Sequence, residues 1–445
     1  MVFTTPKTVN GHKWSLWRQA QQWVYAAQWW LSGPTEKATH NVQALQVFCL
    51  LLIARQVHGM GNCPSLSPAS LLSMAMQMGL HRAPQNFPNL SHCQAEIRSR
   101  LWATVVELYL SSLLNHSTPL TIDFEAIDAK TPYNLNDSDL TDDPVPMEPQ
   151  VPGNKATATS IQLLLLKSQK LRVRAIQVLS DVRMQASYET VVDLANQLRA
   201  ACTEVAAFFQ AHSSYYGPET ASFHRKYIDT YLRRHILLLH RPFMLQAQKD
   251  PRFYLSRKMC LESCTIMASY TDAVDFPCDK LDDFSALMVH GSGHFRGGLS
   301  LDVIVTLALE LITQLQEDDP SPAPKQAAYD PARELARAAR EPIIRRLEHI
   351  QDQLYQVIAL GNPSLKRYGI ISALLGYIKA LESGRNTKTA IYEAVKVCLK
   401  NCLGILRLNL STYQSLAQEP IDEAPALSDD FGFGFDTLVS FIRAG

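Results

Sequence analysis

Two adjacent pairs of aspartates are the residues best suited to hold a magnesium ion: Asp282 with Asp283, and Asp318 with Asp319. Helical enzymes that act on diphosphates hold Mg²⁺ between clustered carboxylates, because the metal is shared with the substrate. The first pair continues as FSAL and the second as PSPAP, so neither pair has the third acid that such a cluster needs. The sequence therefore predicts no metal site of this kind.

A glycine-rich stretch, HGSGHFRGG at positions 290–298, is the second place where chemistry is conceivable. Its glycines do not have the spacing of a phosphate-binding loop, and the Lys-Ser/Thr pair of a P-loop is absent. His290 and His294 lie four residues apart, but the intervening glycines disfavour a helix that would aim both rings at one metal ion. We interpret the stretch as a turn between helices. No GxSxG elbow or nucleophilic cysteine signature occurs, so no catalytic, cofactor-binding or metal-binding residues are predicted.

The nine cysteines fit neither a disulfide framework nor a zinc cluster, because no two of them are separated by two residues. Composition excludes two further classes of protein. Hydrophobic residues make up 47% of the chain, which excludes wholesale disorder. Lys and Arg together number 42, as do Asp and Glu, so the net charge is zero and no strongly basic DNA-binding domain is evident.

Apolar residues recur at spacings of three and four nearly everywhere, and this periodicity predicts amphipathic helices. We expect an all-α fold, a large multi-helix body of antiparallel helices without a substantial sheet. The predicted helices span 14–31, 42–58, 67–80, 95–114, 160–184, 189–211, 224–240, 257–275, 300–315, 331–359, 364–381 and 389–410.

Breaks in this periodicity suggest how the chain is organised. Residues 131–158 are rich in proline and aspartate and predict a connection between an amino-terminal half at 1–130 and a carboxyl-terminal helical half at 159–410. The longest uncharged apolar run covers only 47–54, too short to span a bilayer, and the amino terminus does not resemble a secretory signal. We expect no membrane association and a location in the cytosol or nucleus.

The segment 411–445 differs from the rest because acidic and aromatic residues are mixed there without Lys or Arg until Arg443. This composition is typical of acidic activation segments, in which charge repulsion keeps aromatic side chains available to a partner. The alternative is that the tail docks its phenylalanines on the protein's own core. The candidate activation residues are Asp429, Asp430, Phe431, Phe433, Phe435 and Asp436.

Several short motifs lie between 75 and 140, and their order and spacing are more informative than any one motif alone. They are MGLHR at Met78 to Arg82, Glu96, Arg98 and Arg100 ahead of Leu101 and Trp102, ELYL at Glu107 to Leu110, LTI at Leu120 to Ile122, and Ile127 with Asp128. Together with LQVFCLLLIARQ at 45–56 and LLLHRPFM at 237–244, they resemble the fungal-specific transcription factor domain, also called the middle homology region. The resemblance covers about 14–315.

The charged residues within these motifs also have a structural interpretation. Glu107 lies on a helix with a wide apolar stripe, and isolated charges on such helices are normally paired. We therefore predict that Arg82 and Glu107 form a partly buried ion pair that joins two helices.

The resemblance implies a nuclear regulator of transcription that controls a pathway or gene cluster, with secondary metabolism as one such setting. The binuclear zinc cluster that usually precedes this domain is missing from the sequence. We therefore expect the chain to contact DNA only indirectly, through a partner protein that binds DNA or through a missing zinc cluster. The other expected partner is the transcription machinery. A regulatory module that senses a small-molecule effector without contacting DNA is the alternative. An enzyme is a weaker third alternative.

Overall fold

Helices account for nearly all the regular structure of this protein, which is described by a computed structural model. The structure describes residues 12–32, 41–58, 60, 66–142, 155–181, 183, 186–273, 282–317, 331–359 and 365–416. These residues form fourteen α-helices and no β-strand. The predicted all-α fold is confirmed.

The α-helices and their bounds, in chain order, are α1 His12–Ser32, α2 Val42–Val57, α3 Pro68–Gln77, α4 His92–His116, α5 Ser160–Ser180, α6 Tyr188–Ala211, α7 Ser213–Tyr216, α8 Pro218–Gln246, α9 Tyr254–Ser269, α10 Asp283–His290, α11 Leu301–Glu317, α12 Pro331–Ala359, α13 Leu365–Ser383 and α14 Thr387–Leu416. Short 3₁₀ turns lie between several of them.

Hydrogen-bonding side chains fix where several helices begin. Ser91 caps α4 through a reciprocal box, in which its side chain accepts from the backbone of Gln94 and the Gln94 side chain accepts from the backbone of Ser91. Asn41 caps α2 by accepting from the backbone of Ala44 at 2.7 Å. These caps satisfy amide groups that the first helical turn leaves without partners, and each typically contributes about 1 kcal/mol.

The chain forms two compact units. The first comprises Met1–His240 and Met259–Leu307, and the second comprises Arg241–Lys258 and Ala308–Gly445. Helices α8, α9 and α11 contribute residues to both units. The boundaries near 130 and 159 that the sequence suggests stay a prediction.

Helix α4 runs through the core of the first unit. Its residues Val105, Val106 and Leu110 have no exposed surface, and the helix packs against α2, α3 and α5. In the second unit, α13 packs against both α12 and α14. Buried residues follow one side of α12 and α14, whereas on α4 and α13 they extend around most of the helix.

The stretch Gly293–Glu317 is apolar and long enough, by composition alone, to cross a membrane. However, 61% of its most apolar window is buried within the protein. Such burial is typical of a core helix.

The glycine-rich stretch at 290–298 allows close packing. A side chain at Gly298 would place its Cβ 2.5 Å from the carbonyl oxygen of Met267, and one at Gly291 would lie 2.5 Å from that of Leu287. Both separations are shorter than a carbon and an oxygen tolerate, so glycine is required where the chain turns from α10 into the segment before α11.

Candidate functional site

An open groove of about 1120 Å³ lies in the first unit between α4, α5 and the irregular segment 119–132. Its lining combines apolar side chains with three cations and three acids, Asp123, Glu125 and Asp181, so the groove offers an apolar surface with charges of both signs. The apolar lining includes Trp102, Leu120, Phe124, Ile127 and Val173, and the cationic lining comprises Lys130, Lys170 and Arg174.

A second groove, of about 540 Å³, lies between α3 and the same irregular segment. The two grooves share Thr121, Ile122, Asp123 and Ile127. The segment 119–132 thus separates two adjacent concave surfaces, and its position determines the shape of both.

Hydrogen bonds hold this dividing segment to the helical body. The hydroxyl of Tyr109 lies 2.6 Å from the Oγ1 of Thr121 and accepts from the Thr121 backbone N–H at 3.0 Å. Asp128 accepts from the backbone N–H of Ala83 at 3.0 Å and from the side-chain amide of Asn86 at 3.3 Å. The ELYL and LTI motifs are therefore joined directly, the Ile-Asp motif is joined to the chain that follows MGLHR, and these bonds fix the segment between the grooves.

The charged residues at the start of α4 bind the chain on either side of the segment. Both carboxylate oxygens of Glu96 accept from the backbone N–H of Tyr133, at 3.1 and 3.2 Å, and one also accepts from Arg100 at 2.7 Å. Arg98 donates to the carbonyl of Met78 at 2.7 Å. Because Glu96 is buried, its hydrogen bonds are charge-assisted and sheltered from water. These bonds attach the carboxyl end of α3 and the chain that follows the segment to one helix.

Glu107 forms a nearly buried ion pair, and its partner is not the residue that the sequence predicted. Its two carboxylate oxygens accept from the Nη1 and Nη2 of Arg172 on α5, at 2.7 and 2.6 Å. Arg82, the predicted partner, is exposed near the end of the segment after α3 and does not contact Glu107. The predicted pairing of Arg82 with Glu107 is therefore corrected: the partner of Glu107 is Arg172, because α5 rather than the MGLHR turn packs on that face of α4.

The side chain of Arg172 has no exposed surface. Its guanidinium also donates to the carbonyl of Leu165 at 2.6 Å, to the hydroxyl of Ser168 at 3.1 Å and to that of Tyr231 at 3.4 Å. Burial lowers the pKa of Arg172, but the adjacent Glu107 carboxylate and Tyr231 more than offset this, so the net pKa lies above its usual value. Because the guanidinium cannot lose its proton, separating it from Glu107 and Tyr231 would leave a buried charge without partners. The interaction therefore holds α4, α5 and α8 together.

Two buried histidines of the first unit lie close to this ion pair. The Nδ1 of His294 lies 2.8 Å from the hydroxyl of Ser111, and its Nε2 lies 3.4 Å from that of Tyr227. The Nδ1 of His235 lies 2.8 Å from the carbonyl of Tyr231, and so donates to it. Burial lowers the pKa of each histidine to about 3, with nearby arginines adding to the effect. Both rings are therefore neutral in the folded protein at neutral pH.

His294 therefore has a role that the sequence interpretation of 290–298 did not assign to it. The ring is part of a hydrogen-bonded core. Among the described residues no group of three or more His, Cys, Asp or Glu side chains is arranged to hold a metal ion. The Asp282 carboxylate instead caps α10 by accepting from Ser285 at 2.8 Å.

The cysteines that the structure describes are free thiols, and most are buried. Burial raises the pKa of Cys49 and of Cys202 to about 12, and for Cys202 the carboxylate of Asp229 adds to the rise. A thiol with so high a pKa is a poor nucleophile at neutral pH, because the thiolate is the reactive form. These residues contribute to packing.

The predicted activation residues Asp429, Asp430, Phe431, Phe433, Phe435 and Asp436 lie outside the described residues, which end at 416. Their role stays a prediction. Sequence reasoning missed Arg172, although a signal for it exists. Arg172 shares a helical face with Leu165, Ser168 and Ile176, and a charge on such a face indicates a buried partner.

Comparisons with known proteins identify relatives over most of the chain. The transcription factor opdR of Penicillium oxalicum is 50% identical over 434 residues, which are 95% of this chain and 54% of the relative. The transcription factor lepE of Aspergillus flavus is 31% identical, with 89% of this chain and 47% of the relative covered. The aspyridones cluster regulator apdR of Emericella nidulans is 27% identical, with 77% and 46% covered.

These relatives confirm the resemblance to fungal transcription factors. The chain spans about half the length of the relatives named here. No protein-family profile matches it, and no solved structure does.

Replacing Glu107 by Gln tests the buried ion pair. The change leaves the Arg172 charge buried without a counter-charge, so we expect the unit that contains α4 and α5 to lose about 3–5 kcal/mol of unfolding free energy. Urea denaturation followed by circular dichroism measures the loss. The control is Glu204→Gln, which removes the more exposed pair with Lys167 and should cost less than about 1 kcal/mol. Equal effects of the two changes would contradict the importance of the buried pair.

The stability of the first unit should fall as the pH is lowered from about 6.5 towards 3. The pKa of His294 is about 3 in the folded protein, whereas an unfolded histidine has a pKa near 6.5. Between these values the unfolded chain binds the extra proton, so stability is intact above 6.5 and decreases by up to about 1.4 kcal/mol per pH unit for each such histidine. Denaturation at several pH values measures this slope. His294→Gln should reduce it, whereas the same change at exposed His92 should not.

Proposed function

We propose, from the premise that this chain is a homologue of fungal transcription factors, that it is the regulatory helical part of a nuclear transcription regulator that controls a biosynthetic gene cluster. The observation that carries the proposal is the 50% identity to the transcription factor opdR across 95% of the chain. A relative with lower identity is named a cluster regulator, which supports the pathway-level role.

The arrangement of the first unit supports a role in holding surfaces in place. Several of its buried polar groups are engaged in hydrogen bonds and ion pairs: Glu107 with Arg172, Glu96 with Tyr133, and His294 with Ser111. The two histidines are neutral and the guanidinium is fully paired, so these groups fix helices relative to one another. We infer that the chain regulates other molecules and is not an enzyme.

DNA contact is assigned in this proposal to a zinc-cluster domain. That domain would belong to a partner protein or to the additional length that the relatives possess. The acidic, phenylalanine-containing residues 429–436 would recruit the transcription machinery, because closely spaced aromatics flanked by acids suit a hydrophobic groove with a basic rim.

A reporter assay tests this function directly. The full chain is fused to an unrelated DNA-binding domain in a fungal host, and expression of a reporter behind the matching DNA site is measured. We expect expression well above that given by the DNA-binding domain alone. Replacing Phe431, Phe433 and Phe435 by Ala should remove the increase, whereas Thr437→Ala with Ser440→Ala should preserve it. No change in reporter expression with the intact fusion would contradict the proposal.

The groove supports a second candidate function, the sensing of a small amphipathic metabolite. The cations Lys170 and Arg174 lie on one α5 face with Val173 beside them, and Trp102 faces them from α4. This part of the groove fits a molecule with an apolar body and a carboxylate, while Asp123, Glu125 and Asp181 line other parts of it.

Thermal-shift measurements test the sensing function. A carboxylate-bearing product of the pathway, present at about 100 times its dissociation constant, should stabilise the folded protein by about 2.7 kcal/mol and raise the melting temperature. Arg174→Ala should reduce the shift because it removes a groove cation. Lys167→Ala is the matched control, since Lys167 is on the same helix but pairs with Glu204 outside the groove. A shift that is insensitive to Arg174 would place the ligand elsewhere.

A further inference from the structure

Helix α14 carries a stripe of exposed apolar side chains. Tyr392, Leu399, Leu403 and Leu406 are between 40% and 69% exposed, which is unusual for large apolar residues at consecutive turns of one helix. Their spacings of seven, four and three place them on a single face. We call this set the α14 stripe.

The α14 stripe is separate from the face by which the helix packs. Cys398, Cys402 and Ile405 are buried, and α14 makes its principal contacts with α13. Those residues lie about a quarter turn from the stripe, as a rotation of 100° per residue requires. The packing of the second unit therefore leaves the stripe uncovered by the described residues.

The charges beside the stripe are mostly positive. Lys396, Lys400 and Arg407 are exposed and lie along its edge, and α14 as a whole has four basic residues and one acidic residue, Glu393. The stripe thus combines an apolar centre with a basic rim, which favours an occupant that is apolar and acidic.

The last residues of the same chain have this chemistry. Residues 417–445 contain six acidic residues and one basic residue. Phe435, Leu438, Val439 and Ile442 are spaced at i, i+3, i+4 and i+7, which would place them on one side of a helix.

The intervening chain is long enough for these residues to return to the stripe. Leu403 lies 13 residues before the end of α14, or about 20 Å along the helix. Residues 417–434 can extend over about 60 Å, three times that distance. A second copy of α14 is a poorer occupant, because pairing two stripes would bring two basic rims together.

We propose that the α14 stripe binds residues 435–442 of the same chain. The apolar side chains of that segment would cover the stripe, and the acids that precede it would pair with the basic rim. Docking would also restrain Phe431, Phe433 and Phe435, so the tail would alternate between a docked state and one available to a partner. That last consequence rests on the proposed function, whereas the docking itself does not.

Photo-cross-linking in the full-length protein tests the docking. A benzoylphenylalanine residue is introduced in place of Leu403 and, in a matched control, in place of Val397, which is 58% exposed on another side of α14. We expect the residue at position 403 to form cross-links within one chain to 431–445, at least about tenfold more than at position 397. Mass spectrometry of the digested protein identifies the partners. Cross-links from 403 to a second copy, or none to 431–445, would overturn the proposal.

Substitutions on the stripe provide a second measurement. Leu399→Glu should lower the yield of cross-links from position 403 to the tail about tenfold, since it loses the burial of a leucine and introduces an acid opposite an acidic segment. Val397→Glu should leave the yield unchanged, and loss of cross-linking in both variants would overturn the assignment to the stripe. In the reporter assay Leu399→Glu should raise expression. If position 403 cross-links to the tail but Leu399→Glu does not raise expression, the docking stands and its restraint of the phenylalanines is contradicted.

Discussion

The pairing of Arg172 with Glu107 is the constraint on which the first unit depends. A fully buried guanidinium cannot become neutral, so every arrangement of α4 and α5 that separates it from its carboxylate is strongly disfavoured. Because Arg172 also binds the hydroxyl of Tyr231, the same charge fixes α8. Apolar packing alone tolerates small shifts of one helix along another, whereas a two-point ion pair at 2.6 and 2.7 Å does not.

The motifs between 75 and 140 share one structural role in this arrangement. Tyr109 and Glu96 bind the irregular chain that follows α4, and Glu107 binds α5. Asp128, within that irregular chain, accepts from the backbone of Ala83 ahead of α4. The residues that carry the resemblance to fungal transcription factors therefore shape the two grooves and hold the wall between them, which is a positional role rather than a chemical one.

Periodicity was sufficient to predict the helices that have one buried side, and α12 was predicted with its observed bounds. The same periodicity did not predict α10. Phe284 to Val289 are all buried, and a short helix that is buried on every side shows no regular spacing of apolar and polar residues. Periodicity also shortened α8, which continues through Pro242 to Gln246. The sequence correctly indicated that Glu107 needs a partner. Whether that partner is Arg82 or Arg172 depends on which helix packs against α4. That information is tertiary, and spacing along the chain does not contain it.

The charges on α14 are placed differently from the buried ion pairs of either unit, and the difference bears on where binding takes place. Arg172 with Glu107 and Arg100 with Glu96 in the first unit, like Arg257 with Glu310 in the second, are buried or nearly so and stabilise one arrangement of helices. On α14 the charges are exposed beside apolar side chains that packing leaves uncovered. A net charge of zero for the whole chain conceals this separation, because α14 has a net charge of +3 and the residues that follow it have a net charge of −5. Binding surfaces are therefore better sought where exposed apolar groups and unbalanced charge coincide than in the buried polar core.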